Sequence, residues 1–338
     1  MPTLNTSFKI ACTLLACSPA FAHEWDSARP DSHAPISVMG DHTHNAGEFM
    51  LSYRYMTMEM EGTIDGRDGV SDADVLQNYR ATPTDMTTQM HMIGAMYAPN
   101  NWLTLTGMAP YIIKSMDHVT AMGGKFTTRA EGLGDLKLGA LWKISSGHGH
   151  ALHLNTTVSV PTGSIDERDD TPVRDNATLP YPMQLGSGTY DLIVGATYRG
   201  QSGDLTWGAQ VLGTFHTGEN DRDYTLGDKG EFNLWSAWKW NNAVSTSLRL
   251  KHSKWSNIDG RDERHDAGLA VMGGRQLIYT IDPNLRAGER TDLMFGTNFL
   301  TKSGHRFALE YGLPIRQDLE GPQLEVDYGL TVGWQKAF

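Results

Sequence analysis

The sequence is poor in cysteine, and its two cysteines, Cys12 and Cys17, both lie within the first 22 residues. That segment carries one charged side chain, Lys9, before an apolar stretch, and it ends in Ala20-Phe21-Ala22, which is typical of a cleaved secretory signal. We therefore predict a signal peptide over residues 1–22. The mature chain would then have no disulfide, no thiolate metal site and no cysteine nucleophile.

Other absences narrow the class of protein. No stretch after the signal approaches 18 consecutive apolar residues, which excludes a transmembrane helix there. The formal net charge is −11, whereas nucleic-acid binding requires a basic surface. The P-loop, the HExxH motif and the GxSxG motif are missing. We expect an exported protein with no nucleic-acid partner and no enzymatic activity. Such a protein is soluble in the periplasm, secreted, a lipoprotein cleaved before Cys17, or a barrel in an outer membrane.

An alternation of apolar and polar residues begins at Gly47 and continues to the end of the chain. Residues 23–46 before it form an irregular, histidine-containing leader. In the clearest strand, the face that we predict to contact lipid carries Leu324, Val326, Tyr328, Leu330, Val332 and Trp334. The pattern predicts twelve strands, at residues 47–61, 87–98, 101–117, 127–144, 149–162, 187–199, 204–216, 229–240, 243–256, 288–302, 304–316 and 322–338.

The connections between these strands alternate between short turns and long loops. The long connections are residues 62–86, 118–126, 163–186, 217–228, 257–287 and 317–321. This alternation is typical of a transmembrane barrel with short periplasmic turns and long outer loops. We therefore predict an all-β fold, a transmembrane antiparallel β-barrel of about 12 strands over residues 47–338, in the outer membrane of a Gram-negative bacterium.

The two faces of the predicted strands support this fold. Aromatic residues recur near strand ends, as in the interfacial girdles of such barrels, and the last strand ends in Phe338. We expect contacts with outer-membrane lipid and lipopolysaccharide on that face. The other face needs a watery lumen because it is charged. Its charged residues are Arg54, Glu131, Lys137, Asp191, Arg199, Arg249, Lys251, Arg306, Glu310, Arg316, Glu325 and Asp327.

Several motifs resemble those of a known family. They are Gly132-Leu133-Gly134-Asp135-Leu136-Lys137-Leu138-Gly139, Val160-Pro161-Thr162-Gly163, Gly186-Ser187-Gly188-Thr189-Tyr190-Asp191, and Leu309-Glu310-Tyr311-Gly312-Leu313-Pro314 with Gly321-Pro322-Gln323-Leu324. In this order the chain resembles the outer-membrane proteins described as putative phenol meta-pathway degradation transporters. The resemblance spans residues 47–338 and implies an outer-membrane transporter or channel for small solutes.

Methionine is concentrated at the front of the chain, with twelve of sixteen between residues 39 and 122. Strand parity places many of them on the inner face of three adjacent strands. Thioethers prefer soft ions such as Cu(I), so copper is the candidate cofactor and a Cu(I)-binding or export barrel is the alternative function. Packing of the leader by adaptable apolar side chains is the competing interpretation. The hypothetical Cu(I) ligands are Met56, Met58, Met60, Met90, Met92, Met116, His42, His44 and His118.

Overall fold

The computed structural model of the chain describes residues 28–338, so the predicted signal peptide and the start of the leader lie outside the described residues. The described strands are β1 (Phe49–Gly66), β2 (Asp68–Val70), β3 (Ala81–Asn100), β4 (Leu103–Thr120), β5 (Lys125–Leu133), β6 (Leu136–Gly147), β7 (His150–Val160), β8 (Arg168–Thr171), β9 (Arg174–Thr178), β10 (Tyr190–Ser202), β11 (Leu205–Thr217), β12 (Tyr224–Thr225), β13 (Lys229–Lys239), β14 (Val244–Trp255), β15 (Asp259–Gly260), β16 (Gly288–Leu300) and β17 (Arg306–Ala337).

Helical structure is short and confined to the loops. None of the described helices is long and apolar enough to cross a membrane. The helices are α1 (Asp72–Asn78) and α2 (Asp266–Leu269), with 3₁₀ turns at Tyr181–Met183, Glu263–His265, Tyr279–Ile281 and Pro283–Leu285.

Eleven strands close into an antiparallel ring, in the order β17-β16-β14-β13-β11-β10-β7-β6-β4-β3-β1, with β1 pairing back onto β17. β2 and β5 pair with ring strands but lie outside the ring, and β8–β9 and β12–β15 form separate two-stranded pairs. β17 is 32 residues long and folds as a hairpin, since the rings of Tyr311 and Tyr328, one on each arm, lie 5.6 Å apart by their centroids. Its first arm pairs with β16 and its second arm pairs with β1. The barrel wall therefore consists of twelve antiparallel segments, namely these two arms and the other ten strands. The predicted all-β barrel is confirmed.

The outer surface of the ring is apolar and carries aromatic residues near the short turns. Trp102 and Trp142 stack there with ring centroids 5.6 Å apart, and Phe49 lies 6.4 Å from Phe338. Such a band of aromatic residues is typical of an interface between lipid and water, because aromatic rings are stable at the depth of the lipid headgroups. Its exposed aromatic residues near the short-turn end include Phe49, Tyr97, Trp102, Trp142, Trp238, Trp240, Phe299, Phe307 and Phe338.

The predicted inner face is wrong at four charged positions near the long-loop end of the barrel. Arg316, Glu325 and Asp327 are exposed because the pairing register slips twice in β17, between its contacts with Thr291 and Asp292 and between those with Glu59 and Met60. A one-residue slip turns every later side chain to the other face. The slip also turns Val326, predicted to contact lipid, into the core, where it is 8% exposed.

The fourth error lies in the predicted strand 127–144, which is two strands, β5 and β6. Both pair with β4, but only β6 pairs with β7, so the ladder is interrupted at Gly134-Asp135. Glu131 lies beyond this break and is exposed, whereas its neighbour Ala130 is buried. Toward the long-loop end of the barrel, β5 is therefore bordered by the loop of residues 161–189 rather than by β7.

Candidate functional site: a lumen closed at both ends

The leader residues 28–46, which we call the plug, fill the short-turn end of the lumen without forming a helix or strand. Wall arginines donate to its backbone carbonyls: Arg54 Nε to Ile36 O at 2.9 Å, and Arg306 Nη2 to Arg29 O at 3.1 Å. Buried carbonyl groups need such partners, and wall side chains supply them here. The plug is thus bonded to the barrel wall as a built part of the fold.

The opposite wall binds the plug at a tight turn. His153 Nε2 lies 2.9 Å from Gly40 O, and Asn155 Nδ2 donates to the same oxygen at 2.7 Å. Gly40 has φ +60°, and a Cβ there would lie 2.8 Å from the Asn155 amide nitrogen. A side chain at this position would therefore be strained by the backbone and would collide with the wall.

A buried ion pair holds Ser37, the plug residue that faces the lumen cavity described below. Arg249 Nε lies 2.8 Å from Glu310 Oε1, and the two side chains are 2% and 1% exposed. The Ser37 amide donates to Glu310 Oε2 at 3.2 Å, and the Ser37 hydroxyl contacts both charged groups. Asn233 accepts from Arg249 Nη1 at 2.7 Å. The two wall charges bind each other directly, and Ser37 of the plug adds hydrogen bonds to both.

Three long loops, residues 161–189, 218–228 and 256–287, form a lid over the other end. Arg264 joins all three: it donates to Asp262 of its own loop and to Asp166 at 2.5 Å, and Asp166 accepts from Arg222 at 2.8 Å. Burial would raise the pKa of Asp166 and of Asp262, but hydrogen bonds from the arginines outweigh it and lower both pKa values. Both carboxyl groups are therefore ionised at neutral pH.

The first lid loop reaches into the lumen and packs on the methionine-rich wall. Leu179, Met183 and Leu185 are at most 5% exposed and form one apolar cluster with side chains of β3 and β4. Lys114 Nζ donates to Pro182 O at 2.7 Å and to Gln184 O at 2.6 Å, and these bonds fix the loop to β4. The wall members of this cluster are Met60, Met86, Met90, Ile112 and Met116, together with Ala130 and Leu324.

Asp135 connects this loop to the interrupted wall. Its carboxylate accepts from Gly163 N at 2.9 Å and from Ser187 N at 2.8 Å. A Cβ on Gly186 would lie 2.5 Å from Gly163 O and 2.6 Å from Asp135 Oδ1, so only glycine fits. Three motifs that carry the family resemblance meet here. Sequence reasoning did not single out Asp135, although its place between glycine-containing motifs was the available signal.

Between plug and lid lies a lumen cavity made of two adjoining spaces of about 580 and 210 Å³, which share Met90. Ser37 of the plug lines the smaller space, and Tyr181 of the lid lines the larger one. The cavity therefore lies inside the barrel, between its two closures. One wall is apolar, with Met56, Met58, Met90, Met92, Met108, Pro110 and Ile112.

Among the charged residues that line the cavity, cations outnumber carboxylates. Seven lysine and arginine side chains line the cavity against three carboxylates. Among residues 28–338, Lys114, Lys137 and Arg286 form no ion pair with a carboxylate within 4.0 Å, whereas the other four have such partners. The cations are Lys114, Lys137, Lys229, Lys251, Arg249, Arg286 and Arg290, and the carboxylates are Asp135, Asp191 and Asp292.

The predicted Cu(I) ligands do not come together in one site. Met56, Met58, Met90 and Met92 line the lumen cavity, whereas Met60 and Met116 are packed by lid side chains. His42 and His44 lie in the plug, and His118 stacks on Phe126 near the lid, with ring centroids 4.5 Å apart. An inward loop was among the sequence-based expectations, and the side chains of Leu179, Met183 and Leu185 from that loop pack in the cluster that holds Met60 and Met116.

Positive charge also surrounds the methionines that remain in the cavity. Arg290 Nη1 lies 3.8 Å from Met58 Sδ, and Arg249 and Lys251 line the same space. Each of these three cations is paired with a carboxylate, so their charges are largely balanced. The Met58 thioether is already engaged by Arg290, and binding of Cu(I) stays a prediction.

No protein-family model and no curated protein matches the sequence. Among solved structures, an outer membrane channel from Pseudomonas putida F1 matches with a TM-score of 0.62 at 15% identity, over 90% of this chain and 100% of that chain. The β domain of the Bordetella autotransporter BrkA gives a TM-score of 0.47 at 11% identity, over 86% and 100%. The P. putida toluene transporter TodX gives 0.40 at 11%, over 88% and 91%. The first likeness shows the fold, a β-barrel of the bacterial outer-membrane type.

Proposed function

We propose that the chain is an outer-membrane channel for small organic anions with an apolar body, and that the plug and the lid keep it closed at rest. The lumen cavity carries this proposal, because a methionine-rich wall faces uncompensated cationic groups. Such a lining attracts anions even though the whole chain is acidic. The long loops then face the exterior and the plug faces the periplasm, as is usual for such barrels.

Two features support this solute class. The cavity's volume is that of a small-molecule site. Its mixed lining favours a ligand with one charged end and one apolar end, since methionine contacts aromatic and aliphatic groups well. The resemblance to the phenol meta-pathway transporters makes aromatic carboxylates the first solutes to examine.

Uptake into proteoliposomes tests the proposal with three solutes of similar shape: benzoate, benzyl alcohol and benzylamine. We expect benzoate to enter several-fold faster than benzylamine. Lys137→Gln removes an unpaired cavity cation and should slow benzoate while leaving benzyl alcohol unchanged. The matched control is Lys254→Gln, because the Lys254 side chain is 73% exposed on the barrel's outside. Uptake of benzylamine at or above the rate of benzoate would contradict the proposal.

A further inference from the structure

Three histidines of the plug and one aspartate form a compact buried cluster. The rings of His33 and His42 lie 4.0 Å apart by their centroids, and those of His42 and His44 lie 4.8 Å apart. Potential ligand atoms of His33, Asp41 and His42 all lie within 4.8 Å of one another. The side chains of Asp41, His42 and His44 are only 5–6% exposed, and that of His33 is 18% exposed. The channel proposal does not use this cluster.

The cluster leaves one nitrogen of each ring without a partner. Within residues 28–338, nothing hydrogen-bonds to His33 Nδ1, His42 Nε2 or His44 Nε2, although all three are buried. Unpaired buried polar atoms are costly, and three adjacent ones in a well-bonded plug require an explanation.

Carboxylates orient two of these rings. His42 Nδ1 lies 2.7 Å from Asp41 Oδ1, and His44 Nδ1 lies 3.1 Å from Glu48 Oε2. A carboxylate on one ring nitrogen fixes the tautomer and directs the other nitrogen toward a metal ion. Asp41 Oδ2 also accepts from the Ala34 amide at 2.9 Å. This bond holds the carboxylate beside Ala34, the residue that follows His33.

We propose that the plug binds one borderline divalent transition-metal ion, such as Zn²⁺, through the free ring nitrogens of His33 and His42, with His44 beside them and the Asp41 carboxylate holding the His42 ring. Imidazole and carboxylate suit Zn²⁺ and Cu²⁺, whereas Mg²⁺ and Ca²⁺ take oxygen ligands. The ion joins residue 33 to residues 41–44 and so fastens the two limbs of the plug together. It differs from the Cu(I) site predicted from the sequence, because no methionine takes part.

The nearby arginines set a limit on the affinity of this site. Arg199 and Arg306 lie close enough to act on His33, and their charges repel a cation. Both are already held on the plug, by Ser32 O at 3.1 Å and by Arg29 O at 3.1 Å, and the Asp41 charge opposes them. We therefore expect tighter binding than at a surface histidine pair but weaker binding than at a thiolate zinc site.

Cobalt absorption tests this proposal without reference to transport. The folded, untagged chain is stripped with EDTA and titrated with Co²⁺, whose visible bands report ligands and geometry. We expect bands that saturate at one equivalent and disappear when one equivalent of Zn²⁺ is added. Asp41→Asn should weaken binding about 10- to 100-fold, as is usual for carboxylates that support metal-bound histidine.

The decisive variant is His42→Asn, which should abolish the bands. Its matched control is His148→Asn at an exposed turn, which should retain them. Heat-modifiable electrophoretic mobility confirms that each variant is a folded barrel. Absence of bands in the unmodified chain, or their persistence in His42→Asn, would overturn the proposal. Neither result bears on the channel proposal, because no solute is involved.

Discussion

At the scale of single residues, Arg249 and Glu310 form a buried contact between the wall and the plug. Both are buried, and both contact Ser37 of the plug. A buried ion pair contributes little net stability when complete, but loss of one partner leaves an uncompensated charge. This asymmetry makes the pair a sensitive probe of how the plug is held.

Glu310→Gln should destabilise the barrel by about 3–5 kcal/mol, because the Arg249 charge would remain buried without its carboxylate. It should also raise conductance by loosening Ser37. Chemical unfolding in detergent measures the first effect. Asp318→Asn is the control: Asp318 pairs with Arg67 at 2.7 Å, but the Arg67 and Asp318 side chains are 58% and 36% exposed, so little change is expected. Equal effects of the two substitutions would show that the buried pair has no special role.

The sequence could predict which of these side chains enter the lumen, but it could not predict which residues they contact there. Arg54, Arg249 and Glu310 lie inside as predicted, because their stretches of strand are regular and parity decides their direction. The partnership of Arg249 with Glu310 depends on the registers of β14, β16 and β17 across 61 residues of sequence. The hydrophobic pattern does not encode that register at single-residue accuracy.

At the scale of elements, prediction from the sequence succeeded for regular strands and failed at irregular ones. Strand existence was clear because alternation of apolar and polar residues is strong in a wall with lipid on one side. The slips in β17 and the break at Gly134-Asp135 were missed, since an added residue leaves no composition signal. The leader was predicted to be irregular, but its place in the lumen depends on distant wall residues such as Arg306.

The lid should stay closed down to mildly acidic pH and loosen only below about pH 4. The pKa values of Asp166 and Asp262 are lower in the folded chain than the unfolded value of about 3.9. Their contribution is therefore complete above that value and is lost as pH falls through the folded pKa values. A spin label at Glu263→Cys, measured by electron paramagnetic resonance, should gain mobility only in that range.

One further variant and one further label make this test specific. Asp262→Asn should free the Glu263→Cys label already at neutral pH, because Arg264 loses one acceptor oxygen and the negative charge of its own-loop partner. A label at Met122→Cys, in a loop without this cluster, should be insensitive to acid. A gradual rise in mobility between pH 7 and 5 at the Glu263 position would contradict the role assigned to the carboxylates.

At the scale of the whole molecule, the barrel combines an acidic chain with a cationic interior. The net charge of −11 arises from the whole sequence, whereas seven cations and three carboxylates line the lumen cavity. Low-dielectric walls concentrate the field of such a lining, so the local charge and not the total charge governs which ions enter. Under the proposed function, selectivity therefore follows the cavity lining and not the composition of the whole chain.

The reversal potential in planar bilayers under a KCl gradient tests the central claim most directly. Openings of the unmodified chain should be anion-selective, and Lys137→Gln combined with Arg286→Gln should shift the reversal potential toward zero. The Lys254→Gln variant should behave like the unmodified chain, because Lys254 lies outside the cavity. Cation-selective openings, or a selectivity that the double substitution leaves unchanged, would contradict the account.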